Sequence, residues 1–351
     1  MKSLCNGTVT GFPGPSAWAL PPAADRRLRA LMRKTVLSMG GPLGNPLMRI
    51  ITAGGKGLRP ALTITTAAIG GCEAEDAPVL AAAAAIEFLH VASLVHDDLI
   101  DQAPIRRGVA TLSAREGPSA AIVGGDLLIA AACTLAGEVS REAGGIMAET
   151  LAQLCRGEAI QDELRYRPFT SVESLTEVMR LKAGSLLRAA CLLGAHCWNA
   201  DAQAQSAVAD FGMDLGVCLQ LTDDLLDVVS SPVLAAKPVG TDFSAGTPTL
   251  PAVLAIRENA ELGQLLRPGL DPASRQRAIS LLQSSAGPLA ATEAAARDYA
   301  TRAARRLDAA DLGPAARELA RWPEAYLNGQ LASRVDDEHR WLFSQLAGAT
   351  P

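Results

Sequence analysis

The feature that most constrains the fold of this 351-residue chain is an acidic pattern, D-D-x-x-D, which occurs twice in strongly apolar helical sequence. An ionised carboxylate is costly to bury alone, and neighbouring carboxylates repel one another. The pattern therefore predicts two helices whose acidic segments meet cations at a shared cavity. The first copy, in HVASLVHDDLID, comprises Asp97, Asp98 and Asp101, and the second, in QLTDDLLDV, comprises Asp223, Asp224 and Asp227.

The rest of the sequence is typical of an all-α protein. Long segments rich in Ala, Leu, Arg and Glu have helical spacing, and strong alternating strand patterns are absent. Gly and Pro break these segments, but no long linker separates two halves. We therefore expect a mobile N-terminal tail at residues 1–24 and a single all-α domain at residues 25–345. The predicted helices span residues 25–38, 58–70, 76–99, 119–138, 145–165, 172–196, 201–229 and 290–310.

Charge and cysteine content narrow the class of protein. The net charge of -5, with acidic and basic residues mixed along the chain, argues against nucleic acid as a partner. Seven cysteines without a CxxC pair predict free, mostly buried thiols in a reducing compartment. The apolar stretch SAAIVGGDLLIAAACTLAG contains Asp126 and a Gly pair, so we expect a buried helix and no stable membrane span. A cytoplasmic protein is the resulting expectation.

The two acidic patterns are suited to divalent metal ions. Residues four apart lie on one helix face, so Asp97 and Asp101 share a face, as do Asp223 and Asp227. Carboxylate oxygens suit Mg²⁺, which typically takes one or two carboxylates together with substrate phosphates. Two such clusters facing each other across a cavity would hold more than one Mg²⁺ and bind a polyanion. The alternative is a pair of solvated helix ends, which the duplication disfavours.

Basic residues could form the other half of an anion site. The stretch GGKGLRP places Lys56 and Arg59 at a helix start, where backbone N–H groups favour anions. Its spacing is not that of a P-loop. Alone, GGKGLRP is equally typical of a surface turn. Lys182 and Lys237 are further candidates, although each taken singly is more typical of a solvated lysine.

Together these motifs resemble the trans-polyprenyl diphosphate synthase family. The stretches GGKGLRP, HVASLVHDDLID, RRG, GEAIQ, LQLTDDLLDV, KPVGTD and TLP occur in the family's order between about residues 54 and 251. The resemblance implies an isoprenoid synthase-type helical bundle around a deep central cavity, and a homodimer. It implies a prenyltransferase that condenses isopentenyl diphosphate head-to-tail with an allylic diphosphate, using three Mg²⁺ ions.

The resemblance also assigns roles to residues of this chain. The expected Mg²⁺ ligands are Asp97, Asp98, Asp101, Asp223, Asp224 and Asp227. The residues expected at the allylic diphosphate are Arg106, Lys182, Gln220 and Lys237, with Gln161 nearby. The residues expected at isopentenyl diphosphate are Lys56, Arg59, His90 and Arg107. The expected catalytic set is Asp97, Asp98, Lys182, Asp223 and Lys237.

Two positions depart from the family pattern. Ala183 follows Lys182 where the family usually has Thr, and Thr247 precedes T-L-P where the family usually has a second lysine. The first departure removes a hydroxyl and the second removes a cation from the expected allylic site. A charge-assisted contact of this kind contributes about 1.5–3 kcal/mol. The departures are compatible with weakened activity, with an unusual allylic substrate, or with a specialised member of the family.

The residues before Asp97 bear on product length. Short-chain members of the family often have bulky aromatic residues four or five positions before this aspartate, where this chain has Ser93 and Ala92. Leu89 and Ile86 lie about one and two helical turns deeper, and one turn rises about 5.4 Å. These four residues are the predicted floor of the chain cavity. We expect a product longer than C15; a long chain is favoured over C20 geranylgeranyl diphosphate.

Three other functions fit parts of the sequence. A class I terpene cyclase also uses aspartate-bound Mg²⁺, but it needs no second diphosphate site, and aromatic residues make up only 4% of the chain. An HD-type phosphohydrolase would need a metal-binding histidine on an upstream helix, whereas the first histidine is His90. A non-catalytic partner subunit of a prenyl synthase stays open because of Ala183 and Thr247.

Overall fold

The computed structural model describes residues 19–53, 55, 57–230 and 239–335, and within these ranges the protein is all-α apart from one small hairpin. The hairpin pairs β1 (Ile105–Arg106) with antiparallel β2 (Val109–Ala110). The α-helices are α1 (Pro22–Met39), α2 (Gly44–Thr52), α3 (Leu58–Ile69), α4 (Ala77–Ile100), α5 (Leu112–Glu116), α6 (Pro118–Val139), α7 (Arg141–Leu164), α8 (Val172–Met179), α9 (Ser185–Cys197), α10 (Ala202–Val229), α11 (Thr241–Ala245), α12 (Leu250–Glu258), α13 (Ala260–Leu265), α14 (Pro272–Gln283), α15 (Ala286–Ala310), α16 (Pro314–Ala320) and α17 (Trp322–Arg334).

Helix boundaries follow the local chemistry of the sequence. Ser140 and Asp201 accept hydrogen bonds from the third amide of α7 and α10, at 2.9 Å and 2.8 Å, which satisfies an otherwise free helical N–H. The helix predicted at 172–196 is interrupted, since a π-helical turn, Arg180–Gly184, joins α8 to α9. The predicted tail at 1–24 is too long by three residues, because α1 begins at Pro22 and Ala24 is completely buried.

The core is built around α4 and α10. The alanines at 81–85 of α4 are all buried, and Ala131 and Ala132 of the adjacent α6 are buried as well. Small side chains let these helix axes approach closely. Gly216 of α10 faces Gly184 so closely that a Cβ there would lie 2.5 Å from the Gly184 Cα. Helix α10 packs along α9 and α15, and its C-terminal part also packs with α12, α14 and α17.

Two described helices, α4 and α6, are long and apolar enough to span a membrane by length and composition alone. In α4, 78% of the most apolar window is buried inside the protein. In α6 the corresponding share is 44%, so the helix predicted to be buried has an exposed face that includes Ile122 and Val123. The six cysteines in the described part of the chain are free, but only Cys191 and Cys218 are fully buried, so the prediction of mostly buried thiols was wrong.

Candidate functional site

The first aspartate cluster lies at the C-terminal end of α4 and has arginine partners. Asp98 is buried and accepts a hydrogen bond from Arg106 Nε at 2.5 Å. Asp101 is exposed and accepts one from Arg165 Nη2 at 3.1 Å. Asp97 lines a cavity in front of the helix. The structure therefore brings the three predicted aspartates together, with one facing open space and two held by guanidinium groups.

The second aspartate cluster lies in the last turns of α10 and is held by neutral donors. Asp224 is buried and accepts a hydrogen bond from Gln220 Nε2 at 2.8 Å. Asp227 is buried and accepts from Thr241 Oγ1 at 2.7 Å and from the Asp242 amide at 3.1 Å. Asp223 lines a second cavity. As in the first cluster, the first aspartate of the pattern faces a cavity.

The larger cavity, of about 650 Å³, is polar near Asp97 and apolar further in. At its polar end Lys182 pairs with Glu158 and lies 3.4 Å from Gln161 Oε1. Gly157 leaves room for this lysine, because a Cβ there would lie 2.7 Å from Lys182 Cγ. The apolar part lies between α4, α6, α7 and α9. Its lining includes Leu89, Ala92, Ser93, Leu94, Ile129, Leu151, Leu154 and Leu186.

Three of the four predicted floor residues line this cavity. Ala92 is completely buried at its wall, Leu89 is 2% exposed, and Ser93 turns its hydroxyl back to the His90 carbonyl at 2.8 Å. Ile86 is completely buried and is not among the residues that line the cavity. The cavity wall on α4 therefore ends at Leu89, and the remaining depth is shaped by α6, α7 and α9.

The smaller cavity, of about 560 Å³, is lined by cationic and acidic side chains. Arg59, Arg107 and His90 border it, and the partly buried Glu87 lies among them. Burial raises the pKa of Glu87, against the effect of the two arginines. Within the described part of the chain, Arg59 Nε and His90 Nδ1 are buried without a hydrogen-bond partner. Such atoms are costly to bury unless a ligand satisfies them, and an anion suits this set.

His90 is a neutral residue of this cavity. Burial lowers the pKa of His90 well below 6.5, and the positive charges of Arg59 and Arg107 act in the same direction. A neutral imidazole offers one N–H donor and one acceptor nitrogen. His90 can therefore donate a hydrogen bond to a bound anion, while the arginines supply the charge.

The β-hairpin sends two consecutive arginines to two different places. Arg106 lies on β1 and bonds Asp98, whereas Arg107 occupies the two-residue turn and lines the smaller cavity. Arg107 has φ +52° and Gly108 has φ +78°, the combination that a tight hairpin turn requires. Gly55 accommodates the Arg107 side chain, because a Cβ there would lie 2.9 Å from its Nη1. The RRG motif thus contributes one arginine to the first aspartate cluster and one to the smaller cavity.

The two cavities adjoin each other. Arg59, His90, Ala183 and Gln220 line both. Ala183, one of the departures from the family pattern, therefore lies at their junction, where it offers a methyl group in place of a hydroxyl. Gln220 is committed to Asp224 at this junction. Two of the predicted binding residues, Lys56 and Lys237, lie outside the described residues.

Several side chains at the site were missed by sequence reasoning. Glu87 is the only charged residue between Ala77 and Leu94, and a single charge in such an apolar helix could have identified it as a candidate site residue. Glu158 stands in GEAIQ beside the predicted Gln161, but its pairing with Lys182 was not foreseen. Tyr326 and Arg334 reach the smaller cavity from α17, and no local pattern in the sequence marks them.

The acidic residues fit a divalent ion that arrives with a phosphate ligand. Among the described residues, no three His, Cys, Asp or Glu side chains converge as a ready-made metal cluster. Burial raises the pKa of Asp97 to about 6, an effect that outweighs nearby Lys182 and to which Glu158 and Asp101 add. A divalent cation would stabilise the ionised form of this carboxylate. Mg²⁺ commonly takes only one or two carboxylates and completes its shell with water and phosphate oxygens.

Comparisons with known proteins agree with this geometry. The family model for polyprenyl synthetase matches residues 42–281. The chain is 34% identical to nonaprenyl diphosphate synthase of Mycobacterium tuberculosis over 303 residues, which cover 85% of this chain and 90% of that protein. It is 34% identical to heptaprenyl diphosphate synthase component 2 of Geobacillus stearothermophilus over 228 residues, 65% of this chain and 71% of that protein.

A solved structure shares the same fold. The polyprenyl synthase of Caulobacter crescentus CB15, which was crystallised with calcium and isoprenyl diphosphate, superposes with a TM-score of 0.79 at 30% sequence identity. The match covers 87% of this chain and 94% of that one. The expected all-α fold is thereby confirmed.

Proposed function

The chain belongs to the polyprenyl synthetase family and is a prenyltransferase, and we propose that it joins isopentenyl diphosphate head-to-tail to an allylic diphosphate with the help of Mg²⁺. The observation that carries this proposal is the pair of adjoining cavities. One is apolar in depth and bordered by Asp97 and Lys182, and the other is lined by Arg59, Arg107 and His90. A two-substrate condensation needs two such places side by side.

The smaller cavity is the proposed site of isopentenyl diphosphate. Arg59 and Arg107 neutralise its diphosphate, and the buried His90 donates a hydrogen bond without adding charge. Glu87 lies close enough to both guanidinium groups for its carboxylate to offset part of the repulsion between them. The carbon chain of the substrate then points toward the junction, where Ala183 and Gln220 lie.

The larger cavity is the proposed site of the allylic substrate. When bound, Mg²⁺ neutralises charge on the allylic diphosphate and favours its departure. Asp97 and Asp223 face the cavities and are the proposed principal ligands, and Lys182 adds a fixed positive charge where negative charge develops. The apolar walls keep water from the allylic cation. A C–O bond breaks, the double bond of isopentenyl diphosphate forms the new C–C bond, and the released diphosphate takes the proton.

Incubation of the purified protein tests this function. The enzyme is supplied with Mg²⁺, isopentenyl diphosphate and, in turn, dimethylallyl, geranyl, farnesyl and geranylgeranyl diphosphates, and the products are separated by chain length. Elongated prenyl diphosphates in the presence of Mg²⁺ and none with EDTA are expected. Diphosphate-free cyclic hydrocarbons would instead indicate a terpene cyclase. No product from any primer would favour a non-catalytic partner subunit.

We propose a product longer than C15, with a long chain favoured over C20. The small side chains at Ala92 and Ser93 and the apolar extension toward Leu151 and Leu154 support this length. Replacing Ala92 by Phe should shorten the main product by at least one five-carbon unit, because the ring would fill the cavity near its entrance. Ala152→Phe is the matched control, since Ala152 is exposed on α7 outside the cavity. An unchanged product length in Ala92→Phe would reject this location for the floor.

A homodimer is the proposed assembly. The face of α6 that packs against neither α4 nor α7 exposes Ile122 at 51% and Val123 at 49%, which is the kind of apolar surface that a second copy covers. The substitution Val123→Glu should shift the mass measured by light scattering from dimer to monomer, whereas Leu37→Glu should not. A monomeric wild-type protein would contradict the proposal.

We also propose that the protein is cytoplasmic and does not bind nucleic acid as a partner. Cell fractionation tests the location.

A further inference from the structure

Arg165, the residue that follows α7, connects the two aspartate clusters. Its Nη2 donates to Asp101 Oδ1 at 3.1 Å, and its Nη1 donates to the Ala245 carbonyl at 3.3 Å. Its Nε lies 3.4 Å from Asp162 Oδ1, and only 22% of the side chain is exposed. All three nitrogens of the guanidinium are therefore directed at partners on three separate segments of the chain. This use of the planar fork is specific to arginine.

The segment that Arg165 reaches is itself tied to the second cluster. The Tyr166 amide donates to the Gly246 carbonyl at 2.8 Å, and a Cβ on Gly246 would lie 2.3 Å from the Tyr166 ring. The Thr247 amide donates to the Asp242 carbonyl at 2.9 Å, and the Asp242 amide donates to Asp227 Oδ2 at 3.1 Å. A continuous series of contacts thus runs from Asp101, through Arg165 and the 242–247 turn, to Asp227.

We propose that Arg165 is a positioning residue that fixes the first aspartate cluster relative to the second, and thereby sets the site where the allylic diphosphate and its divalent ions bind. Asp101 is exposed at the end of α4, and the contact from Arg165 ties its carboxylate to the end of α7. Divalent ions and diphosphate at this site would be held by aspartates of both clusters, so a change in the spacing of the clusters should weaken their binding. The inference rests on the proposed function.

Calorimetric titration tests this role without turnover. An unreactive allylic thiodiphosphate is titrated into the full-length enzyme at a series of Mg²⁺ concentrations. In Arg165→Gln the half-saturating Mg²⁺ concentration should rise about tenfold, the scale of one lost charge-assisted hydrogen bond. Affinity for isopentenyl diphosphate should change less than about twofold, since its proposed cavity is lined by Arg59 and Arg107. Arg167→Gln is the matched control, because Arg167 is exposed two residues along the same loop.

Two further variants separate positioning from general folding. Arg165→Lys keeps the charge but cannot hold a carboxylate and a carbonyl at once, so it should show a smaller rise and a melting temperature close to the wild type. If Arg165 acts through Asp101, the effects of Asp101→Asn and of the Arg165 variant should not add in the double variant. Strict additivity, or Mg²⁺ dependence unchanged in both Arg165 variants, would overturn the inference. A wild-type enzyme that binds the analogue but yields no prenyl product would instead count against the proposed function.

Discussion

The two aspartate clusters share a spacing but differ in what surrounds them. In the first, the second and third aspartates are held by arginines, Arg106 and Arg165. In the second, the corresponding aspartates are held by an amide side chain, a hydroxyl and a backbone N–H. In both, the first aspartate of the pattern faces a cavity. The position of an aspartate within the pattern therefore decides whether its carboxylate faces a cavity. The neighbouring residues decide how the charges of the other two aspartates are balanced.

The difference has a physical origin in the helix ends. Both clusters lie at the C-terminal end of a helix, where the helix dipole disfavours negative charge. The end of α4 is exposed, so charged partners from the hairpin and from the end of α7 can reach it. The end of α10 is buried against α11, where the hydrogen bonds to Asp224 and Asp227 in the described residues come from an amide side chain, a hydroxyl and a backbone N–H. The first cluster is thus an electrostatic assembly and the second a hydrogen-bonded one.

The largest effect on activity is expected at the first aspartate of each cluster, because it faces a cavity in both. Asp97→Asn and Asp223→Asn should each lower kcat by about 100-fold or more, because each removes a charge that would hold Mg²⁺ at the departing diphosphate. Steady-state kinetics at saturating Mg²⁺ measure the loss. Asp210→Asn is the matched control, since Asp210 is half-exposed earlier on α10. A loss below tenfold in only one of the two variants would show that the clusters are not equivalent at this position.

A smaller effect should separate the third aspartates. Asp227→Ala leaves Thr241 Oγ1 and the Asp242 amide without their acceptor, so it should lower the free energy of unfolding by about 1.5–3 kcal/mol. Asp101→Ala removes an exposed ion pair and should cost less than about 1 kcal/mol. Urea denaturation with EDTA present measures both. Equal costs would contradict the distinction between a hydrogen-bonded and an electrostatic cluster.

The last expected effect is a pH dependence of stability at Asp97, which concerns the metal-free protein only. Its pKa is raised to about 6 in the folded protein, so the folded state binds this proton more tightly than the unfolded state. The contribution of this group to stability is therefore most favourable below about pH 4 and declines as the pH rises toward about 6. In the metal-free state, Asp97→Asn should be close to the wild type near pH 4 and more stable than it at pH 7. Thermal melts at the two pH values give the comparison, and a difference that shrinks as the pH rises would contradict the assignment.

Local patterns in the sequence predicted much of the fold and part of the site. Five of the eight predicted helices match described helices to within three residues at each end, because caps, prolines and helical spacing act within a few residues. The 145–165 and 290–310 predictions begin four residues late within α7 and α15, and the 172–196 prediction covers α8, the π turn and α9. The π turn at Arg180–Gly184 was not predictable in this way, since its close approach to Gly216 involves a distant segment. The structure shows Arg106 Nε bonded to Asp98, a contact that the sequence did not predict, and the contact of Arg106 with diphosphate stays a prediction.

The sequence by itself determined the helices and the two triads of aspartates, because residues four apart share a face in any α-helix. The tertiary structure alone decided which carboxylate faces a cavity and which partner holds each of the others. The contact from Arg165 to Ala245 spans 80 residues, and Glu87 meets Arg59 and Arg107 only after three segments have packed together. The field at each aspartate depends on charges within a few ångströms in space, and separation along the chain does not specify those distances.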